Sequence, residues 1–357
     1  VIKHNSTNDL KLKAYYKVNT YKVLLDVNGG NELSENEYSV DYDSDFNLVV
    51  PERNGYNFEG WYLNENKINS GKWTIDGNVT LRAKWKIIKY NIIYVLDEGI
   101  NNSLNPLSYT YDDETIILKE PNKIGYTFIG WVQNKLEVPN KNVSILHNSI
   151  GDKTYYAKWK ANNYNITYDV NGGNKLTNNI QTVTYDKEVN LLIPSKTGYK
   201  FIGWYNNDEE IKSGVWKINS NITLKAKWEA KKYTIIKHIG TFTEKTVVTY
   251  DEMYNLGTPN KNYYTFVGYY TKEYGEGIKY TDQYGNSINR YTDANDIDLY
   301  ALFTYTLSFV TNGGNNVPSI TLKENESFDN SIICKKENRS FAGWYKDTQL
   351  TNIVSNE

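Results

Sequence analysis

The stretch GYKFIGWY (Gly198–Tyr205) has close copies along the chain, and the reason for its recurrence decides the fold. It combines four aromatic rings with two glycines, one isoleucine and one lysine. Such a motif is either a site used several times or a core element that every structural unit needs. The other copies are GYNFEGWY (Gly55–Tyr62), GYTFIGWV (Gly125–Val132), YYTFVGYY (Tyr263–Tyr270) and NRSFAGWY (Asn338–Tyr345).

A longer repeat surrounds each copy of the motif. It opens with a tyrosine, and subtracting the numbers of successive opening tyrosines gives spacings of 69, 74, 69 and 72 residues. These units exceed the roughly 20–50 residues of a solenoid repeat and approach the size of a small domain that folds alone. The predicted units are repeat 1 at residues 21–89, repeat 2 at 90–163, repeat 3 at 164–232, repeat 4 at 233–304 (divergent, with a long loop) and repeat 5 at 305–357 (truncated).

The two ends of the chain extend this organisation. LKLKAYY, at residues 10–16, aligns with the last strand of a repeat, so residues 1–20 are predicted to be the tail of a preceding repeat. Repeat 5 stops 13 residues after Trp344 and is expected to lack its last strand.

The parts of one repeat are readable in repeat 3. YNITYDV, at residues 164–170, alternates apolar and polar side chains, which indicates a half-buried strand. It runs into Asn-Gly-Gly at residues 171–173, where glycine permits a tight turn. Further strands are predicted at Thr182–Asp186, in the motif itself, and at Thr223–Trp228.

The motif is predicted to form core. Phe201 and Trp204 are three residues apart, so a regular strand would send them to opposite faces, but Gly203 permits a bulge that re-aims the tryptophan. A unit of this size has little volume for burial, and each aromatic ring buries about 150–250 Å². The single cysteine, Cys334, stands where the other repeats carry proline, which favours a structural role and excludes an internal disulfide.

The succession of an NGG strand end, a proline, GYxFxGWY and TLxAKW resembles the Listeria–Bacteroides repeat, the B-repeat of internalin-type bacterial surface proteins. The resemblance covers essentially the whole chain and is weakest in repeat 4, which lacks NGG and has Tyr269 for the tryptophan, and in truncated repeat 5. It implies a β-rich α+β fold: tandem small β-grasp-like domains, each with about four strands and at most one short helix, arranged as beads in an elongated rod. It also implies that the protein is extracellular, either at the bacterial cell surface or secreted.

Composition and motifs argue against catalysis and nucleic-acid binding. Lys and Arg number 40 against 42 Asp and Glu, so no basic field is available for nucleic acid. No apolar run reaches the length of a membrane helix. The sequence contains no CxxC, HExxH, P-loop or GxSxG motif, and its three histidines are far apart. The prediction is a non-enzymatic protein with no cofactor and no metal site.

Repeat 4 is the candidate for ligand binding. Its segment from Gly268 to Phe303 spans 35 residues, against 25 from Gly203 to Trp228 in repeat 3. Long loops often carry function, and tyrosine rings offer contact area at low entropic cost. An alternative is that these tyrosines form a two-stranded extension that supports a weakened core. The predicted ligand-binding residues are Tyr270, Tyr274, Tyr280, Tyr284 and Tyr291.

Short links between repeats suggest the function. In most copies only four residues separate the closing aromatic residue from the next opening tyrosine, too few for a flexible coil. The predicted function is a semi-rigid stalk or spacer that supports adhesion. The alternative is a glycan- or protein-binding array that contacts host or cell-wall ligands through surface aromatic residues, best in repeat 4. The expected partners are a host surface protein, a glycan or a cell-wall polymer, with no nucleic acid and no membrane span, and the chain is expected to be monomeric.

Overall fold

The computed structural model describes residues 11–134, 136–329 and 331–354. Contacts divide the chain into two compact units. The first runs to Asn163 and includes Thr184–Asp186 and Lys217–Asn219, and the second contains the rest. Half of the predicted tail of a preceding repeat, residues 1–10, lies outside the described residues, and residues 11–19 form no strand.

Repeats 1 and 3 have the same sheet. Its central pair is the first and last long strands of the repeat, which run parallel, and antiparallel strands flank this pair. The order is β2-β1-β7-β4-β5 in repeat 1 and β15-β14-β20-β17-β18 in repeat 3, and each repeat adds one separate two-stranded pair. In repeat 1 the strands are β1 (Thr20–Asp26), β2 (Glu37–Asp41), β3 (Asp45–Phe46), β4 (Tyr56–Leu63), β5 (Asn66–Ile68), β6 (Gly71–Lys72) and β7 (Val79–Ile87). In repeat 3 they are β14 (Asn163–Asp169), β15 (Ile180–Thr184), β16 (Glu188–Val189), β17 (Tyr199–Asn206), β18 (Glu209–Ile211), β19 (Gly214–Val215) and β20 (Ile222–Ala230).

Repeats 2 and 4 keep four strands of this sheet, those equivalent to β2, β1, β7 and β4. In repeat 2 the order is β11-β13-β8-β9, and β10 pairs with β12. In repeat 4 it is β22-β21-β24-β23, and β24 also pairs with β25 of repeat 5. The bounds are β8 (Lys89–Val95), β9 (Ser108–Thr110), β10 (Ile116–Ile117), β11 (Tyr126–Val132), β12 (Ser144–Ile145), β13 (Lys153–Ala161), β21 (Lys232–Ile239), β22 (Phe242–Thr249), β23 (Thr265–Tyr270), a 3₁₀ turn (Glu273–Gly275), β24 (Ile297–Leu307) and β25 (Ile320–Lys323).

The prediction of a β-rich chain of small sheets is confirmed, but the predicted number of strands is too low for repeats 1 and 3. After the motif, the chain turns back at Asn64 in repeat 1 and at Asn207 in repeat 3, both with positive φ, and adds an edge strand. Asparagine tolerates the left-handed conformation that a two-residue hairpin turn needs. The Asn-Glu and Asn-Asp dipeptides that follow the motif are therefore sequence signals for this hairpin turn, and the prediction of about four strands overlooked them.

The bulge predicted in the motif is confirmed. Phe201 lies opposite Trp228 and Gly203 opposite Lys227, so Ile202 is the extra residue. The bulge brings Phe201 and Trp204 to the same face, and the same register shift occurs in repeats 1, 2 and 4. Trp204 is 2% exposed, as the core interpretation requires.

A triad of aromatic rings repeats around this bulge. The ring of Phe201 packs edge-on against Trp204 at 5.4 Å and against Trp228 at 5.5 Å, measured between ring centroids. Trp204 donates its indole N–H to the carbonyl of Leu192 at 2.6 Å, which fixes the ring in the core. The corresponding triads are Phe58–Trp61–Trp85, Phe128–Trp131–Trp159 and Phe266–Tyr269–Phe303.

The Asn-Gly-Gly turn is also confirmed, and its last glycine has a second role. Asn171 and Gly172 both have positive φ, and Gly173 N–H closes the turn on Val170 O at 2.9 Å. A Cβ on Gly173 would lie 2.7 Å from the Trp228 ring, so this glycine lets the closing tryptophan cover the turn.

We expect residues 164–232 to fold alone and Trp204→Ala to destabilise that fragment by about 3–5 kcal/mol, because a large buried ring is lost. Ile202 lies on the same strand but is 39% exposed, so Ile202→Ala is the matched control and should cost less than about 1 kcal/mol. Urea unfolding followed by circular dichroism measures both. Equal effects of the two substitutions would contradict the assignment of the motif to the core.

Candidate functional site

The structure corrects the sequence interpretation of the ends of the strands. The predicted four-residue links are almost entirely strand, since only Ile88 separates β7 from β8 and only Lys231 separates β20 from β21. The Tyr-Asp pair that closes the predicted second strand lies beyond that strand, in a turn at Tyr185–Asp186 and at Tyr250–Asp251. The Tyr-Asp turn therefore has a role outside the sheet.

A joint between repeats explains that role. We define a joint as the contact between the Gly-Tyr that opens the motif of one repeat and the Tyr-Asp turn of the next repeat. In the second unit, Lys231 N–H donates to Gly198 O at 2.9 Å, and Tyr250 N–H donates to Lys231 O at 2.9 Å. The residue that connects two successive strands is thus hydrogen-bonded to both repeats.

The tyrosine of the motif is the centre of this joint. Tyr199 packs edge-on against Tyr250, with ring centroids 5.4 Å apart, and its hydroxyl donates to Asp251 Oδ2 at 3.1 Å. Lys196 Nζ lies 4.2 Å from the centroid of the Tyr199 ring. Aromatic pairs and cation–π contacts each contribute about 0.5–1.5 kcal/mol. The core interpretation of the motif therefore does not extend to its first tyrosine.

The glycine of the joint is required by two independent constraints. Gly198 has φ of 76°, which residues with a side chain rarely adopt. A Cβ at this position would also lie 2.4 Å from the Tyr250 ring. The glycine therefore leaves the space that the ring of the next repeat fills.

The same joint occurs twice within the first compact unit. Gly55 lies against Tyr111 and Gly125 against Tyr185, so that an added Cβ would approach these rings to 2.5 and 2.3 Å. In both joints the motif tyrosine packs edge-on against the second ring and donates to an aspartate, and a cation lies over its face. These contacts are Tyr56–Tyr111, Tyr126–Tyr185, Tyr56–Asp112, Tyr126–Asp186, Arg53–Tyr56 and Lys123–Tyr126.

The joint between repeats 4 and 5 uses different residues at the same places. Tyr263 replaces the glycine, with φ of 65°, and its side chain is 98% exposed. Glu324 replaces the ring of the next repeat and forms an ion pair with Lys261. The motif tyrosine finds a different ring here, because Tyr264 packs edge-on against Tyr305, the opening tyrosine of repeat 5, at 5.5 Å. The loss of the glycine and the loss of the opposing ring thus occur together.

The charges in a joint shift the pKa values of its members. Lys217 and then the Tyr126 hydroxyl bind the carboxylate of Asp186, and these hydrogen bonds hold its pKa below the usual 3.8. The hydrogen bond to Asp186, with some burial, raises the pKa of Tyr126 to about 12. Both shifts favour the pair of a neutral phenol and an ionised carboxylate across the neutral pH range.

The structure separates the tyrosines predicted to bind a ligand. Tyr291 is 1% exposed and lies in the core of repeat 4, so its ring offers no surface, and Tyr280 packs against that core and donates to Asp293 Oδ2 at 2.7 Å. Tyr270 is partly buried on β23. Tyr274 and Tyr284 are 46% and 66% exposed and are the two rings of this set that solvent reaches freely.

The described residues contain no grouping of histidine, cysteine and acidic side chains that could hold a metal ion. His147 contacts the carbonyl of Asp113, and His238 stacks on Tyr300, while His4 lies outside the described residues. Cys334 is buried, with its thiol near backbone carbonyls. Within the described part of the chain, no helix has the length and apolarity needed to cross a bilayer.

Comparison with known proteins agrees with the repeat structure. The model of the Listeria-Bacteroides repeat domain matches residues 21–84, 90–158, 164–227, 235–302 and 305–357. The matches cover most of the sequence, and the chain belongs to this family as five tandem repeats.

Relatives are found in Evansella cellulosilytica and Listeria monocytogenes. Two proteins of Evansella cellulosilytica, both with names that describe membrane proteins and the second called Gly-rich, are 27% identical over 299 and 374 residues. These alignments cover 76% and 96% of this chain but only 42% and 41% of the relatives. Internalin H of Listeria monocytogenes is 37% identical over 94 residues, which is 25% of this chain and 16% of internalin H.

We expect Gly198→Ala to destabilise the chain by about 1–3 kcal/mol more than Gly257→Ala, because only the first adds an overpacked contact with Tyr250. Gly257 is the matched control, since its φ is 71° and no atom lies within 4 Å of an added Cβ. Adding Tyr250→Ala to Gly198→Ala should recover part of the loss. Thermal unfolding of these three variants and of the unmodified chain tests this, and indistinguishable melting of the Gly198→Ala and Gly257→Ala variants would contradict the joint.

The stability contributed by the Tyr126–Asp186 contact should depend on pH at both extremes. Because the folded pKa of Asp186 is depressed, its contribution is present above 3.8 and is lost as pH falls through the lower folded value. Because the folded pKa of Tyr126 is raised, its contribution is present below 10.0 and is lost as pH rises through about 12. Asp186→Asn should therefore lower the melting temperature most near neutral pH, and Tyr126→Phe should remove the alkaline loss. A melting difference that is constant from pH 2 to 7 would exclude this linkage.

Proposed function

We propose that the five repeats form a semi-rigid spacer in a bacterial protein that is displayed at the cell surface or secreted. The observation that carries this proposal is the repeated joint, in which every connecting residue belongs to a strand or to a joint hydrogen bond. A chain whose connections are ordered in this way holds its ends apart better than one with coil linkers. The surface location is supported by the family and by the internalin relative.

Two finer features belong to this proposal. The first is the division into units at residues 21–89, 90–163, 164–232, 233–304 and 305–357, although β24 runs across the last of these boundaries. The second is a β-grasp-like topology, supported by the mixed sheet with a parallel central pair. The proposed protein is non-enzymatic. The role proposed for its repeats is to support adhesion, while other parts of a longer protein make the adhesive contact.

The spacer proposal predicts that length matters and that repeats with the same Gly-Tyr joint are interchangeable. In the producing bacterium, replacing repeats 1 and 2 by two copies of repeat 3 should leave adhesion unchanged, because all three use the Gly-Tyr joint. Deleting the same two repeats should reduce adhesion. Adhesion that falls equally in both strains would contradict a spacer and favour a specific binding role for repeats 1 and 2.

A second candidate function, binding of a glycan or protein by repeat 4, rests on Tyr274 and Tyr284. Both rings are exposed in the long segment of repeat 4, and Tyr274 has φ of 59°, an uncommon conformation for a bulky residue. Strained backbone at exposed positions is found at ligand sites more often than elsewhere. We expect Tyr274→Ala with Tyr284→Ala to abolish binding on a glycan or host-protein array without changing the melting temperature. Tyr291→Ala is the control, because it should lower stability instead, and an array on which the unmodified chain binds nothing would exclude this candidate.

A further inference from the structure

Repeat 1 presents a Tyr-Asp turn, Tyr42–Asp43, that takes part in no joint within the described residues. Tyr42 N–H donates to the carbonyl of Asn19, the residue before β1, at 2.9 Å, as Tyr250 N–H donates to Lys231, the residue before β21. Asp43 has φ of 63°, and Asp251 has φ of 62°. The turn of repeat 1 therefore has the same backbone conformation as the turns of the joined repeats.

The ring of Tyr42 is uncovered. It is 43% exposed, whereas the rings of Tyr111, Tyr185 and Tyr250 are half-buried beneath their joints. None of the glycines in the described residues lies against Tyr42, and residues 1–41 contain no Gly-Tyr dipeptide. The carboxylate of Asp43 is likewise exposed. Among the residues that the structure describes, one half of a joint is thus formed and exposed to solvent.

We propose that the face made by Tyr42 and Asp43 is a docking surface for another repeat of this family whose motif begins with Gly-Tyr. Its glycine would lie against the Tyr42 ring, and its tyrosine would pack on that ring and donate a hydrogen bond to Asp43. A lysine or arginine three residues before that tyrosine completes the arrangement, as Lys196 does for Tyr199. The proposal goes beyond the spacer function, because it concerns which repeat can dock.

The face made by Tyr42 and Asp43 can accept some of the repeats of this chain and excludes others. Repeat 4 has Tyr263 in place of the glycine, and its Cβ would occupy the space of the Tyr42 ring, as an added Cβ at Gly198 would lie 2.4 Å from Tyr250. Repeat 5 has Asn338 and Arg339 at these two positions, so the same clash excludes docking of repeat 5 from a second copy. The occupant is therefore a Gly-Tyr repeat, and repeat 4 is the natural negative control.

The first test uses the chain as it is. Nitration of tyrosines with tetranitromethane, located by mass spectrometry of peptides, compares Tyr42 with Tyr185 and Tyr250. We expect Tyr42 to react several-fold faster, because its counterparts are covered. Equal rates would mean that the face is not open and would overturn the proposal.

The second test supplies the occupant. In one variant residues 164–231 replace residues 1–19, so that Lys231 stands where Asn19 stood and Gly198-Tyr199 can reach Tyr42. In the control, residues 233–303 replace residues 1–19, because Glu324 N–H donates to Phe303 O as Tyr42 N–H does to Asn19 O.

Nitration of Tyr42 should fall to the rate of Tyr250 in the first variant and stay fast in the control. Gly198→Ala in the added repeat should restore the fast rate. Fast nitration in both variants would show that a Gly-Tyr repeat does not dock on this face. Protection in both would show that any attached repeat covers Tyr42, and either result overturns the proposal.

Discussion

The bulge between the motif phenylalanine and glycine is the constraint on which the rest of each repeat depends. One extra residue, Ile202, turns a three-residue spacing into a shared face and brings Phe201 between Trp204 and Trp228. Those two tryptophans come from the motif strand and the closing strand, which lie side by side in the sheet. The triad thus ties the motif to the central parallel pair, and in a unit of about 70 residues few other groups bury as much area.

The eight residues of GYKFIGWY contribute both to the core of their own repeat and to the joint with the next repeat, because different positions along the strand contact different partners. Phe201 and Trp204 fill the core of repeat 3, while Gly198 and Tyr199, at the beginning of the strand, reach the turn of the next repeat. Core and joint are therefore connected through one short segment of backbone. A displacement of the strand that disturbed the triad would also move Tyr199 from Tyr250, so stability within a repeat and coupling between repeats are linked.

Much of this fold is readable from the sequence, and the reasons for the failures are specific. Alternation in YNITYDV, the turn at NGG and the bulge at Gly203 are local patterns, and each appears in the structure as expected. The joint was not predictable in this way, because the Gly-Tyr pair and the Tyr-Asp turn that it meets are 52 to 60 residues apart in the sequence (Gly198 to Tyr250, Gly125 to Tyr185) and neither has a local partner. The signal that could have found it is that Gly-Tyr opens the motif in repeats 1, 2 and 3 and Tyr-Asp recurs in each following repeat, while both dipeptides are replaced at the boundary between repeats 4 and 5.

Repeat 4 shows that the core and the joint tolerate change differently. Its triad replaces both tryptophans, by Tyr269 and Phe303, and its first hairpin closes at Gly240 without NGG, yet the sheet keeps its order. A core of rings accepts another ring of similar size, because the packing is non-directional. In the joint, by contrast, one residue cannot be exchanged alone. Tyr263 at the glycine position is compatible with Glu324 in the next repeat and not with an opposing ring. Glu324 in turn has Lys261 as its ion-pair partner. A change on one side of a joint therefore requires a matched change on the other side, which restricts the order of repeats more strongly than it restricts their cores.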